Sequence, residues 1–355
     1  MFVIIILNIF AVLCSYLAKY KKYSYFLKIG FVVLTVVFGL RYGYGNDYFN
    51  YYESYVESIT YHYSNLNIEI GWYYLCRLFK PLGYFGLVFF LTAFINYLVY
   101  RFIKHNVDPK WYWLATFIFL FQPNYMLLGT SMLRQMLVSA IFLNCLKLIS
   151  ERRILLSLGI ILLCTTIHEI SMIFIPFIFM DYIKGCFKKK WFYIIFVGGL
   201  YVVWISREMF AERLLMSLLE SENDFANYFN YGDEGVIGTK EIILMLLFAF
   251  YMMRNNSKLS AEDKISCILV LASVFIMPFV TVVVMLRRIM YMFGLFQLSS
   301  FPAVIANERN IILRHFFVMC ILLFTLIDFF RFFHGETYGP YFIKFNTIFQ
   351  SPTWL

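Results

Sequence analysis

Apolar stretches of nearly membrane-spanning length follow one another along this chain. They fall near residues 1–18, 24–40, 84–103, 111–129, 131–149, 154–167, 169–183, 191–206, 239–253, 265–286, 289–306 and 311–330. A helix needs about 20 mostly apolar residues to cross the hydrocarbon core of a bilayer. Inside that core every backbone N–H and C=O must be paired within the protein, so such stretches fold as helices and pack together. The pattern predicts an all-α, polytopic transmembrane helix bundle of about 12 membrane segments. The runs 154–167 and 169–183 are short, and one bent or re-entrant element built from both is the alternative; the expected count spans roughly 10–14.

Composition excludes the main competing class. Of 355 residues, 62% are hydrophobic and only 14% are charged. A soluble domain carries closer to about a quarter charged residues. The 42 Phe and 28 Tyr suit lipid-facing helices with aromatic belts at their ends. The formal net charge is +9. Most Lys and Arg sit in short loops between apolar runs, where they set topology, so nucleic acid is not an expected partner. The seven cysteines lie mostly in or beside apolar runs, with no CxxC and no Cys/His cluster. They are expected to be packing residues, with neither a disulfide framework nor a zinc site. Met1 to Ala18 lacks a basic leader region and is followed by Lys19, Lys21 and Lys22, which suits an uncleaved first span.

The basic residues also orient the chain. With the N-terminus outside, the inner loops of a twelve-span arrangement hold 19 of the 30 Lys and Arg residues. These loops are short, as the positive-inside rule requires, and both termini fall outside. The whole of 1–355 is expected to form a single transmembrane domain. Two longer outer loops interrupt it. Residues 41–83 form a Tyr-rich loop whose last part, Ile68 to Phe79, is amphipathic and suits an interfacial helix. Residues 207–238 begin with helical periodicity and continue as loop.

Charge placed against these rules marks candidate functional residues. Arg134, in LLGTSMLRQMLVSAIFL, sits one turn into an apolar run. A charge there costs a few kcal/mol unless it meets water or a partner, so it either binds an anion in an aqueous cavity, snorkels, or pairs with an acid. Arg287 and Arg288 are adjacent on the expected outer side and suit a phosphate clamp, the planar guanidinium binding phosphate oxygens in pairs. Arg41, Gly43, Gly45 and Asp47 in RYGYGNDYFNYY form a third group; the glycines permit an unusual turn, and Asp47 suits a base or a sugar ligand. His168 and Glu169 form a fourth, with His168 a candidate general base. An ordinary aromatic belt with a turn is the alternative for the third group, a structural histidine for the fourth, and a loop that happens to be basic for Arg287 and Arg288. Asp328 and Arg331, three apart near His334, are expected to pair with each other.

The order RYGYGNDYFNYY, EIGWYYL, SMLRQMLVSAIFL and IHEISMIF resembles the EpsG-like and Wzy-type polysaccharide polymerases, which carry R-x-G-x-G-x-D, E-x-G-[WF], R-[QS] and F-H-x-S in that order. The motifs cover roughly residues 38–180. Ile167 stands where that family more often has Phe before the histidine. The resemblance implies a GT-C-like membrane glycosyltransferase in a bacterial inner membrane. It would join oligosaccharide repeat units held on undecaprenyl diphosphate into O-antigen, capsule or exopolysaccharide at the periplasmic face. It implies no metal or other cofactor, and membrane lipids and a chain-length regulator as further partners. Asp47, His168 and Glu169 are then the catalytic candidates; Arg41, Arg134, Gln135, Arg287 and Arg288 the substrate-binding ones. A lipid-linked oligosaccharide flippase, a glycan acyltransferase and an O-antigen ligase are the rivals. The flippase would spread its charges through the membrane depth and show an internal repeat.

Overall fold

The computed structural model describes residues 1–183, 185, 193, 195–206, 209, 213, 239–280, 286–335 and 339–350. The expected outer loop 207–238, apart from residues 209 and 213, and most of the basic loop 181–190 lie outside these residues. The described chain is helical apart from short connections and one two-stranded sheet. It divides into two compact units, residues 1–179 with 325–355, and residues 180–324.

The first unit opens with α1 (Phe2–Leu17) and α2 (Phe26–Gly39), which pack together. A two-residue strand, β1 (Arg41–Tyr42), follows, then α3 (Tyr48–Thr60) and α4 (Ile70–Leu78). Residues 41–83, expected as a loop bearing one short helix, thus hold two. α4 buries Trp72, Tyr73 and Cys76 and exposes Ile70, Tyr74 and Leu78, one apolar face spaced by four residues. The long α5 (Gly83–Asn106) packs on α2.

Two apolar runs that looked continuous are broken. Residues 111–129 divide into α6 (Tyr112–Phe121) and α7 (Pro123–Thr130) at Gln122. Pro123 disfavours helix at the residue before it, and Gln122 is extended. Residues 131–149 divide into α8 (Leu133–Leu143) and α9 (Leu146–Ser150). Then α10 (Ile154–Thr165) packs against a 3-10 segment, Glu169–Phe179, followed by α11 (Met180–Ile183). The two short runs thus form two elements that pack on each other. Pro176 lies inside the 3-10 segment and supplies no N–H for a continuous α-helix.

Polar side chains tie the apolar helices together. Asn8 Nδ2 donates to Leu120 O at 3.0 Å, Ser15 meets Thr116 at 2.8 Å, and Asn96 Nδ2 donates to Thr35 at 3.2 Å. Each such bond contributes about 0.6–2 kcal/mol in a lipid setting. The chain's end returns to this unit. α18 (Gly339–Ile343) leads to β2 (Asn346–Thr347), which pairs antiparallel with β1, Arg41 opposite Thr347 and Tyr42 opposite Asn346.

In the second unit, α12 (Ile195–Ser206) and α13 (Thr239–Asn255) precede α14 (Ala261–Val280). α15 (Leu286–Gly294) and α16 (Gln297–Asn307) meet at a 45° bend. α17 (Ile311–His334) runs on into the first unit. The side chain of Glu308, 1% exposed, accepts from Arg254 Nε at 2.9 Å and Asn255 Nδ2 at 3.1 Å, and Tyr251 donates to Leu313 O at 2.7 Å. These bonds join the end of α13 to the α16–α17 turn.

Among the described residues, four helical stretches are long and apolar enough to cross a membrane: Lys21–Gly39, Lys80–Asn106, Ala261–Val280 and Ile311–His334. The bent pair α15–α16 makes five if counted as one span. Large apolar side chains such as Leu155 (86% exposed) and Ile312 (75%) stand on the outside. A soluble protein rarely leaves so many uncovered, and a lipid-embedded helix must.

Candidate functional site

Gly71 is the hinge on which the first unit's polar cluster is built. Its N–H donates to Thr166 O at 2.6 Å. A Cβ placed on Gly71 would stand 2.6 Å from that oxygen and 2.8 Å from its carbon. Only glycine lets the start of α4 come this close to the turn after α10. The residue two before Gly71 is Glu69, the N-cap of α4; the residue two after Thr166 is His168. The backbone contact therefore sets these two side chains face to face, and His168 Nδ1 lies 3.0 Å from Glu69 Oε1.

Arg134 meets the other carboxylate oxygen. Its Nη1 donates to Glu69 Oε2. Arg134 stands in the first turn of α8, where its backbone N–H donates to the Tyr51 hydroxyl at 3.4 Å. Its guanidinium lies 5.8 Å from the ring centre of Tyr51 and 5.6 Å from that of Trp72. Those rings are themselves held edge to face at 5.5 Å, and Trp72 Nε1 donates to Ser54 at 3.0 Å. The Nε of Arg134 is buried with no hydrogen-bond partner among the described residues. Behind the site, Phe142 of α8 stacks on Phe174 of the 3-10 segment at 3.9 Å, fixing the element that bears Arg134 against the one that follows His168.

One carboxylate thus bridges a cation and an imidazole. Burial alone would push the Glu69 carboxyl up; the His168 hydrogen bond, the Arg134 charge and its own backbone N–H overcome that and hold it below its ordinary value. The side chains are 20% (Glu69), 24% (Arg134) and 19% (His168) exposed, so the cluster is packed on one side and reachable on the other. Chemically, it offers an anion ligand beside an oriented proton acceptor.

The EpsG family profile matches residues 24–345. The chain belongs to the EpsG family. The matched span contains all three members of the cluster, together with Arg41, Asp47, Arg287 and Arg288. No curated protein and no solved structure matches the chain.

The other expected residues of this EpsG-family chain fall in different settings. Arg41 is 0% exposed. Its Nη1 donates to Phe38 O at 2.6 Å and to Thr92 Oγ1 at 2.8 Å, and its Nη2 to Thr130 O at 3.4 Å. Its guanidinium is enclosed in the fold and binds the ends of α2 and α7, where substrate contact was expected. Gly45, with φ of 104°, lies against Thr130 and Ser131 and makes that approach possible; a Cβ there would meet Ser131 Oγ at 2.5 Å. Asp47 is the half-buried N-cap of α3, one turn before Tyr51, and accepts from Asn46 Nδ2 at 3.0 Å. Gln135 is 1% exposed and faces the interior. Glu169, adjacent to His168, is exposed and has no part in the Glu69 cluster. Arg287 and Arg288 are half-buried in the first turn of α15, within the second unit.

Glu69 was missed as a site residue when the sequence was read alone, although it heads the EIGW motif. The available signal was an acid followed two residues later by a glycine at the start of an amphipathic helix. Tyr51 and Trp72, which were not among the expected site residues, are the walls that hold Arg134.

Proposed function

We propose that this protein is a polysaccharide polymerase that elongates a glycan carried on undecaprenyl diphosphate, at the periplasmic face of a bacterial inner membrane. The observation that carries the proposal is the Glu69 bridge, which holds Arg134 and His168 on one carboxylate in an EpsG-family chain. In the reaction, a hydroxyl of the incoming lipid-linked repeat unit gives its proton to His168. Its oxygen bonds to the anomeric carbon of the growing chain. The bond from that carbon to the diphosphate oxygen breaks, and the electron pair leaves on undecaprenyl diphosphate. The charge on that leaving group is what a preorganised cation must meet.

Arg134 suits that task. Nη1 is taken by Glu69, while the buried Nε belongs to the guanidinium's other edge, which binds phosphate oxygens in pairs. The start of a helix also carries partial positive charge, which disfavours a cation by about 0.3–1 kcal/mol and favours an anion beside it. Arg287 and Arg288, in the second unit, form a second basic group whose planar guanidinium ions suit phosphate oxygens. A twelve-segment topology with both termini outside, the arrangement the Lys and Arg distribution favours, would put residues 41–83 on the periplasmic side, with the exposed face of α4 in the membrane interface. The chemistry needs no metal or other cofactor, and a chain-length regulator is the protein partner such a polymerase works with.

Deletion of the gene tests the reading. The expected result is surface glycan capped with a single repeat unit where the parent strain shows a ladder on a gel. Loss of even the single capped unit would indicate a flippase, and unchanged ladders would end the proposal.

A further inference from the structure

We infer that Glu69 is a positioning residue that selects the tautomer of His168 and so leaves Nε2 bare toward the acceptor hydroxyl. The inference rests on the polymerase reading above. An ionised carboxylate can only accept hydrogen bonds. Glu69 Oε1 stands 3.0 Å from His168 Nδ1, so Nδ1 must carry hydrogen whenever that contact is made. A neutral imidazole has one N–H, and placing it on Nδ1 puts the lone pair on Nε2. Nε2 makes no hydrogen bond among the described residues. A free imidazole has no such constraint, and with the proton on Nε2 the exposed nitrogen would be a donor, useless as a base.

The surroundings keep Glu69 in that role. Arg134, from α8, holds Oε2 and balances the carboxylate's charge. Tyr51, from α3, packs on Trp72 and takes the Arg134 backbone N–H, and the Asp47 charge bears on it from the start of the same helix. Cys76, also on α4, is buried and neutral beside the cluster. Glu169, the neighbour of His168, is exposed. Glu69 is therefore the acid that meets the imidazole among the described residues. When the acceptor hydroxyl's proton moves to Nε2, the ring becomes an imidazolium, and the same carboxylate stabilises it. The carboxylate itself stays ionised, so no proton is left unaccounted for.

Two measurements test this on the full chain in nanodiscs. Lipid-linked repeat units extracted from the host strain lacking this protein serve as substrate. Glu69→Gln keeps the shape but removes the charge that selects the tautomer. The expected result is kcat lower by about 10²-fold or more, with no rise in KM, because Arg134 keeps its phosphate-binding edge. A raised KM with unchanged kcat would overturn the inference. The second measurement needs no variant at Glu69: 15N shifts of histidine-labelled wild type, the His168 signal being the one of five lost in His168→Asn. The neutral ring is expected to carry hydrogen on Nδ1; hydrogen on Nε2 would overturn the inference whatever the kinetics. If wild type makes no polymer from these units, the polymerase reading fails instead, and the tautomer result still judges Glu69.

Discussion

Arg134 and Arg41 show how differently two arginines of the same unit are employed. Arg134 has one edge on a partly exposed carboxylate and a second edge unpaired, so removing it strands no deeply buried acid. Arg134→Ala is expected to accumulate at near wild-type level while polymer falls by about 10²-fold or more, as when one transition-state donor is lost. Arg134→Lys should recover only part of the activity, since an ammonium keeps the charge but loses the fork. A blot and a glycan gel read both outcomes; normal ladders from the Ala variant would remove Arg134 from the site. Arg41 is fully buried on two carbonyls and a hydroxyl. Arg41→Ala would remove three buried hydrogen bonds and leave a cavity, a loss of about 3 kcal/mol or more. Its expected signature is therefore reduced protein level, and full accumulation with lost activity would return it to the substrate-binding set.

Among the elements, the contact between α4 and the turn after α10 matters most. Glu69 and His168 meet because Gly71 and Thr166 touch through their backbones. Gly71→Ala would press a methyl onto the Thr166 carbonyl, and a backbone group cannot turn aside. The overpacking costs about 1–3 kcal/mol and moves Glu69 off the imidazole. Polymer yield per molecule of protein should fall sharply, read by normalising the glycan gel to a blot. Gly159→Ala is the matched control, because nothing lies within 4 Å of its added methyl. It should leave yield unchanged. The break between α7 and α8 does related work: it starts a new helix just before Arg134, and Thr130 O at the end of α7 accepts from Arg41.

For the whole molecule, membrane orientation is the property to measure. Ser64 is exposed between α3 and α4, and the described cysteines are buried or half-buried, so Ser64→Cys adds a thiol more accessible than any of those. A membrane-impermeant thiol reagent should label it in intact cells, and reporters fused after Lys190 and after Leu355 should read cytoplasmic and periplasmic respectively. Labelling of Ser64→Cys only in broken cells, or a cytoplasmic reporter after Leu355, would overturn the periplasmic assignment.

Membrane class was legible in the residues alone because spanning is a one-dimensional property. The length of an apolar run sets it, with no need to know what the run packs against. Family membership was legible for a similar reason, since RYGYGND, EIGW, LRQ and IHE keep their order along the chain whatever the fold. How many runs become uninterrupted helices was less so. Gln122 before Pro123, and Pro176 within its segment, break runs whose hydropathy alone looks continuous. The site needed tertiary structure. Glu69 lies 99 residues from His168 and 65 from Arg134, and neither distance carries a periodicity that sequence reasoning can read. Their meeting depends on one glycine admitting one carbonyl, a contact between backbones that no side-chain pattern reports. Arg41 makes the complementary point. An arginine beside glycines looks the same in sequence whether it faces a diphosphate or the carbonyls at two helix ends, and only the packing around it decided between them.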